Sequence, residues 1–162
     1  MNIEQDWPEV KVLCQHAFRS SLHFSIASLD ENNCPHVTPI GSVILGEKGK
    51  AIYFEKFTQH LKNNLSNNEP FSILAVNSNR WFWFKALISG KFDAYPALRL
   101  KGTAGISRAA TVKEMQLWQN RVKIFSWTRG YKILWQEMST VRELNITSVD
   151  KIHLASMTDS LG

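Results

Sequence analysis

Apolar and polar residues alternate along much of the first half of the chain, as in half-buried β-strands. Three segments show this pattern, and turn residues separate them: Leu22–Leu29, His36–Leu45 and Ala51–Glu55. The pattern predicts three strands joined as a meander. Pro39 and Gly41 in the second strand indicate an edge, a bulge or a close approach of the backbone.

Further strands are predicted in the rest of the chain. Phe71–Val76 forms a fourth strand, and Pro96–Ser107 alternates most regularly. One face of the latter carries apolar residues, namely Leu98, Leu100, Ala104 and Ile106. The segments STVRELNI and DKIHLAS supply the last strands. Five to seven antiparallel strands with short helices indicate a mainly β fold, a small barrel with helical decoration.

Helical spacing of apolar residues predicts two longer helices, at residues 6–18 and 111–125. Each begins with a pair of residues typical of a capping box, Asp6 with Glu9 and Thr111 with Glu114. A shorter helix follows Thr58, a plausible N-cap, and carries Leu61 and Leu65 on one side.

The stretch NSNRWFWFKALISGKF holds four consecutive aromatic residues, Trp81 to Phe84. Ser78 or Asn79 can cap a helix from Arg80 to Ser89, which Gly90 then ends. Its rings spread around most of the helix, so packing against the barrel covers only part of them. Three interpretations stay open: packing at a dimer interface, a lid over a ligand pocket, or plain core.

Composition fits one soluble domain spanning residues 1–162 with a net charge of +5. Lysine and arginine are scattered, which argues against nucleic acid as a partner and leaves room for a small anion. No apolar run is long enough for a membrane span, and the N-terminus lacks a signal core, so we expect no membrane partner and a cytoplasmic location. Cys14 and Cys34 are expected to be free thiols, and the histidines stand too far apart for a metal site.

The junction after the third strand is the strongest local signal of chemistry. A strand ends near Glu55, and a helix begins at Gln59 with its free N–H groups pointing outward. Lys56, His60 and Lys62 flank that end. The arrangement suits a phosphate group, and a capped helix with solvated lysines is the alternative interpretation.

The order of three segments resembles the pyridoxamine 5'-phosphate oxidase-like family of FMN-binding split barrels. The segments are SLHFSIASLDENNCPHVTPIG, AIYFEKFTQHLKNNLSNNEPFSILAV and LRLKGTAGIS. The family has a second strand with proline and glycine, then a phosphate-binding helix that ends in an Asn-Leu pair, here Asn64-Leu65. The resemblance implies a split β-barrel of six to seven antiparallel strands, FMN as cofactor, and a homodimer with flavin sites at its two-fold interface.

The resemblance also implies a set of cofactor-binding residues. The second strand would lay its backbone along the flavin, and these residues are His36, Val37, Thr38, Pro39, Ile40 and Gly41. The end of the third strand, Phe54 and Glu55, would reach the ribityl chain and phosphate. Thr58 with His60 or Lys62 would hold the phosphate, although Leu61 stands where the family usually has lysine. His60 and Lys62 point about 200° apart on a helix, so we expect only one of them to reach the anion.

The chain lacks the C-terminal Trp-Gly-Gly-like segment and the Arg/His pair of the genuine oxidase. The resemblance therefore implies a flavin-dependent oxidoreductase that acts on another small-molecule substrate. The alternative is a non-catalytic split-barrel module that has lost FMN or holds another flat ligand such as haem. A third hypothesis, in which single-stranded nucleic acid stacks on Trp81–Phe84, conflicts with the weak clustering of positive charge.

Overall fold

One antiparallel sheet of seven strands, in the order β2-β1-β5-β6-β7-β4-β3, organises the chain. The structure is a computed structural model that describes residues 1–161. The strands are β1 (Phe24–Leu29), β2 (Pro35–Ile40), β3 (Ile44–Leu45), β4 (Lys50–Phe54), β5 (Pro70–Val76), β6 (Ala97–Ala109) and β7 (Thr140–Lys151). The helices are α1 (Ile3–Ser21), α2 (Gln59–Asn67), α3 (Arg80–Ser89), α4 (Val112–Val122) and α5 (Arg129–Leu134), with 3-10 turns at Lys123–Phe125 and Ala155–Leu161. The predicted class, mainly β with helical decoration, is confirmed.

The two edge strands of the sheet, β2 and β3, are joined by only three residues of chain. The sheet must therefore curve until its edges come close together, which gives an open barrel. At the crossing, the Ser42 hydroxyl accepts a hydrogen bond from Phe54 N–H (3.1 Å) and donates one to Phe54 C=O (3.2 Å). A Cβ on Gly41 would lie 3.0 Å from Leu22 O, so the backbone passes close to its neighbour there.

This crossing corrects two sequence predictions. The segment His36–Leu45 is not one strand. Its first part, β2, pairs with β1 as far as Ile40, and after Gly41 the chain crosses to the opposite edge of the sheet, where β3 pairs with β4. The predicted meander is confirmed only for the antiparallel pairs β1–β2 and β3–β4, which lie at opposite edges of the sheet, because β4 also pairs with β7. The sequence pattern shows which strands follow one another in the chain, but it does not show which strands pair. Here β4 pairs along its whole length with β7, a strand more than 85 residues later.

Two apolar clusters hold the elements together. The larger fills the barrel between the strands, α1 and the buried side of α2, where Leu61 and Leu65 are almost completely inaccessible to solvent. The smaller lies between β4 and α4, where the Phe54 ring packs on Trp118. Cys14 lies in the larger cluster and Cys34 is exposed, and both are free thiols as predicted. Burial raises the pKa of the Cys14 thiol to about 12.

Several boundaries differ from the sequence predictions. Helix α1 starts earlier, because the Asn2 side chain caps it by accepting from Glu4 N–H, and the Asp6 carboxylate accepts from Asn2 N–H instead of pairing with Glu9. Of the two strands predicted last in the chain, STVRELNI lies in β7, which continues to Lys151, whereas most of DKIHLAS lies beyond β7 and forms no strand. Ile106 is exposed, because a register shift between Ala104 and Ser107 turns it out of the barrel.

Helices α3 and α4 agree closely with the sequence. Asn79 caps α3, which ends at Gly90 in the left-handed region (φ 69°). Thr111 and Glu114 form the complete capping box predicted for α4. None of the helices within residues 1–161 is long and apolar enough to cross a lipid bilayer.

Gly102 lies at a register shift between β6 and β7 where two backbones approach closely. A Cβ there would lie 1.9 Å from Asn145 O, so we expect Gly102→Ala to lower the free energy of unfolding by about 2 kcal/mol or more. Gly130→Ala is the matched control, since a Cβ at Gly130 in α5 meets nothing within 4 Å and alanine favours a helix. Urea denaturation checks both, and equal stability of the Gly102 variant and the wild type would contradict the packing at this shift.

Candidate functional site

The loop between β4 and α2 leaves the start of α2 open in the sense that no side chain caps it. Thr58 occupies the N-cap position, and its carbonyl accepts from Lys62 N–H (2.8 Å), but its hydroxyl does not cap the helix. Thr58 Oγ1 is buried and has no hydrogen-bond partner among residues 1–161. The first N–H groups of a helix carry partial positive charge, so an anion placed here would meet these donors and the Thr58 hydroxyl together.

Behind this loop lies a buried ion pair between Glu55 and Arg142, whose side chains are 1% and 6% exposed. Arg142 Nε donates to Glu55 Oε1 (2.5 Å), Nη2 donates to the Ser66 hydroxyl (2.9 Å) and Nη1 donates to Gly105 O (3.2 Å). Glu55 also accepts from the hydroxyls of Ser107 (2.6 Å) and Tyr53 (3.1 Å). The pair ties β4, β6, β7 and α2 to one another, and it leaves the Arg142 guanidinium no evident role in binding an external anion.

The Glu55 carboxyl is ionised in the folded protein. Burial raises its pKa, but hydrogen bonds from Ser107 and Arg142, with the charge of Arg142, outweigh burial and hold the pKa below its ordinary value. Because the folded-state pKa is depressed, this group stabilises the fold above its unfolded pKa. That contribution is lost as the pH falls through the folded-state pKa.

A polar cavity of about 400 Å³ lies along α2 from His60 to Asn67, and we call it the α2 pocket. Its walls come from the β1–β2 turn, β2 and α2, and its lining residues are Asp30, Glu31, His36, His60, Asn63, Asn64, Ser66 and Asn67. The imidazoles of His36 and His60 stack at its edge with ring centroids 5.8 Å apart. Asp30 Oδ1 accepts from Asn32 N–H and Cys34 N–H, so this carboxylate holds the turn in shape.

The three cations near the start of α2 have different surroundings. Lys62 Nζ lies 3.9 Å from Glu55 Oε2, so this ammonium is drawn toward β4. His60 is exposed and faces His36 on β2. Lys56 Nζ lies near the Phe57 ring and 3.4 Å from Ile133 O. His60 and Lys62 thus contact different strands, as their spacing on a helix predicts.

The structure divides the proposed cofactor residues into two groups. On β2 and just after it, His36, Val37 and Pro39 are exposed, Thr38 and Gly41 are half-buried, and Ile40 is buried. At the end of β4, by contrast, the Phe54 ring belongs to the core, and its backbone N–H and C=O are both bonded to Ser42.

The Glu55 side chain is likewise committed, in this case to Arg142. Phe54 and Glu55 therefore support the site from behind and present no free side-chain group to a ligand.

Some residues that shape the site could not be recognised from the sequence. Arg142 and Ser107 reach Glu55 from 87 and 52 positions away, and nothing in their local sequence marks them. Asn64, noted only as part of the Asn-Leu pair, is buried and donates to the Ser28 hydroxyl (3.1 Å). No three His, Cys, Asp or Glu side chains in residues 1–161 come together as metal ligands.

Comparison with known proteins identifies the family of this chain. A sequence profile of the pyridoxamine 5'-phosphate oxidase family matches residues 13–153. The chain belongs to this family. No curated protein matches the sequence significantly.

Solved structures share the split-barrel fold at low sequence identity. HupZ of Group A Streptococcus is 15% identical with a TM-score of 0.59, and the alignment covers 90% of this chain and 92% of HupZ. An FMN-binding protein from Syntrophomonas wolfei subsp. wolfei is 11% identical with a TM-score of 0.55, over 94% and 95% of the two chains. A heme binding protein from Mycobacterium smegmatis is 15% identical with a TM-score of 0.51, over 89% and 55%.

The buried ion pair gives a prediction for stability. Glu55→Gln leaves the Arg142 charge buried without its carboxylate, so we expect the free energy of unfolding at neutral pH to fall by about 3 kcal/mol. The deficit should shrink in acid, well below the ordinary glutamate pKa of 4.5, where the wild-type carboxyl is itself protonated. Urea denaturation at the two pH values measures both effects.

The control for this prediction is Asp150→Asn, which breaks the exposed Lys101–Asp150 pair. Exposed pairs contribute little, so this variant should lose less than about 1 kcal/mol. Equal losses in Glu55→Gln and Asp150→Asn would mean that the buried pair is not a structural anchor.

Proposed function

We propose that this protein binds FMN and acts as a flavin-dependent oxidoreductase on a small-molecule substrate. The observation that carries the proposal is the buried Thr58 hydroxyl without a partner at the open N-terminus of α2. A buried polar group without a partner is costly, and a phosphate would satisfy it. Membership of the family, and the FMN-binding protein among the structures that share the fold, support flavin as the group that carries this phosphate.

The surroundings of α2 suit a phosphomonoester, although the family lysine is absent. Leu61, at that position, is fully buried in the barrel and cannot reach an anion. His60 is the best-placed side chain, because it is exposed in the first turn of α2 and a ring N–H can donate to a phosphate oxygen. Lys62 is the second candidate for a phosphate contact. Its ammonium already lies near Glu55, so it would interact with both the Glu55 carboxylate and the phosphate.

Strand β2 suits the flavin ring, because it is an edge of the sheet and pairs only with β1. Alternate N–H and C=O groups along its other side are available to a flat heterocycle with donors and acceptors on its rim. These groups belong to the segment His36–Gly41. Bound FMN would supply hydride or electron transfer, and the protein would position it and restrict access of water.

The phosphate site gives a prediction with two readouts. Thr58→Val removes the buried hydroxyl and nearly keeps the shape, so the free energy of unfolding of the ligand-free protein should stay the same or rise by about 1 kcal/mol, because no hydrogen bond is lost and an unsatisfied polar group is removed. FMN should bind about 10-fold or more weakly to this variant, whereas riboflavin, which lacks the phosphate, should bind as before. Titration followed by flavin fluorescence measures both ligands.

The same titration tests the cations near α2. His60→Ala or Lys62→Ala should weaken FMN by about 10- to 100-fold, according to which side chain meets the phosphate. Lys113→Ala, an exposed lysine on α4, is the control. If no substitution at Thr58, His60 or Lys62 narrows the preference for FMN over riboflavin, the phosphate is held elsewhere.

Haem is the second candidate ligand, because two histidines, His36 and His60, lie at the edge of the α2 pocket. A neutral imidazole is the common axial ligand of haem iron and binds it through a nitrogen in the plane of the ring, which either histidine could supply. A haem-binding protein also shares the fold. Competition in the titration separates the two candidates. If haem displaces FMN from the wild type, and if the Soret band of the bound haem is lost in His36→Ala, the protein is a haem-binding module instead.

We also propose that the protein is a homodimer whose partner completes the flavin site. The outer face of β2, β1 and β5 is uncovered in the single chain and apolar, with Val37 and Leu74 exposed. A shallow groove of about 420 Å³ runs along this face past Ala27 and Lys101. Because the face includes β2, a second copy packed here would lie against the strand proposed to hold the flavin ring.

Light scattering should therefore report about twice the mass of the chain, 18.5 kDa. Val37→Lys with Leu74→Lys places charges on the outer face and should give monomers that bind FMN more weakly, without loss of fold. The control is Val12→Lys, an equally exposed change on α1. A wild-type monomer at micromolar concentration would refute the dimer.

A further inference from the structure

Helix α3 lies at the opposite end of β5 from α2, so it does not cover the α2 pocket of its own chain. Its inner side packs on the protein, with Ala86 buried and the rings of Phe82 and Trp83 against Phe92. Its outer side is apolar and open to solvent. The outer ridge consists of Trp81, Phe84 and Ile88, which are 63%, 51% and 72% exposed.

Cations border the outer ridge on both sides. At about 100° per residue, Arg80 and Lys85 lie about 70° to either side of the ridge. Both are exposed. The outer ridge thus projects furthest from the protein, and two long basic side chains flank it. This differs from an ordinary surface helix, whose outward line is polar.

A basic cleft lies at the foot of the outer ridge, between α1 and α3. Its volume is about 380 Å³, and its lining includes Trp81 and four basic residues, His16, Arg19, Lys85 and Lys91, with one acid, Asp93. The cleft and the outer ridge share Trp81 and Lys85, so they form one continuous surface. An occupant of that surface would be apolar where it meets the ridge and anionic where it meets the cleft.

A second copy of the chain does not meet this description. A two-fold contact through α3 would bring Arg80, Lys85 and Lys91 of one copy near the same cations of the other, with Asp93 as the only acid lining the cleft. Like charges facing each other at an interface cost free energy. An anionic bilayer surface combines acyl chains with phosphate and carboxylate headgroups, and it complements both parts.

We propose that α3 docks the protein onto the surface of an anionic membrane. Trp81, Phe84 and Ile88 enter the boundary between headgroups and acyl chains, where tryptophan is favoured, and Arg80 and Lys85 extend to the headgroups. The basic cleft receives one lipid phosphate. The sequence alone favoured no membrane partner because no segment can span a bilayer, but a surface contact needs no span. The proposal does not depend on flavin binding.

Flotation of the full chain with lipid vesicles tests the proposal. We expect binding to phosphatidylcholine–phosphatidylserine vesicles, much weaker binding to pure phosphatidylcholine, and release by high salt. Replacing the outer ridge (Trp81→Ser, Phe84→Ser and Ile88→Ser) should lower the vesicle affinity by about tenfold or more. Reversing the flanking charges (Arg80→Glu and Lys85→Glu) should have an effect of similar size.

The matched controls are exposed residues outside α3. Trp127→Ser alters a tryptophan that is 86% exposed outside α3, and Lys113→Glu reverses an exposed charge on α4, so neither should change binding. All replaced side chains are exposed, and unchanged thermal unfolding of each variant shows that the fold is kept.

Three results would overturn the proposal. The first is no flotation of the wild type with anionic vesicles. The second is equal binding to neutral and anionic vesicles. The third is a wild-type dimer that becomes monomeric when the outer ridge is replaced, because the ridge would then be the contact between copies.

Discussion

The buried contact between Glu55 and Arg142 is the constraint on which the rest of the structure depends. It fixes the end of β4 against β7, and through Ser66 it sets where α2 lies relative to both. Two charges inside a protein are tolerated only when hydrogen bonds surround them, and here Ser107, Tyr53 and Gly105 supply those bonds. The open start of α2 is therefore held by a rigid support that takes no part in binding itself.

Because the ion pair only supports the site, the positive charge of Arg142 is not available to a ligand, although it lies close to α2. The Arg142 guanidinium carries a full positive charge, yet it faces inward to Glu55 and not outward to a ligand. The groups that remain around the start of α2 are the helix N–H groups, the Thr58 hydroxyl, His60 and Lys62. A site built from such groups gains affinity by placing several donors at once, so the geometry of the loop matters more than any single charge.

The sequence predicted the local features well and the long-range ones poorly. The capping residues Asn79 and Thr111 and the terminating Gly90 act on residues next to them in the chain, so α3 and α4 could be predicted from the local sequence. The crossing at Gly41–Val43 and the partners of Glu55 depend on strands far away in the chain, and alternation of apolar residues carries no information about which strands pair. For the same reason, the family resemblance implied that Glu55 contacts the cofactor, and nothing in the sequence showed that Arg142 binds its carboxylate.

The crossing between β2 and β3 also has a consequence for the order in which the protein forms. Strand β4 is synthesised before β7, and it can complete its pairing only when β7 has been made, more than 85 residues later. Until then the growing polypeptide presents an unpaired apolar edge, and the charge of Glu55 lacks its partner. Folding should therefore be slow, and it should be completed only after residues 140–151 have been made.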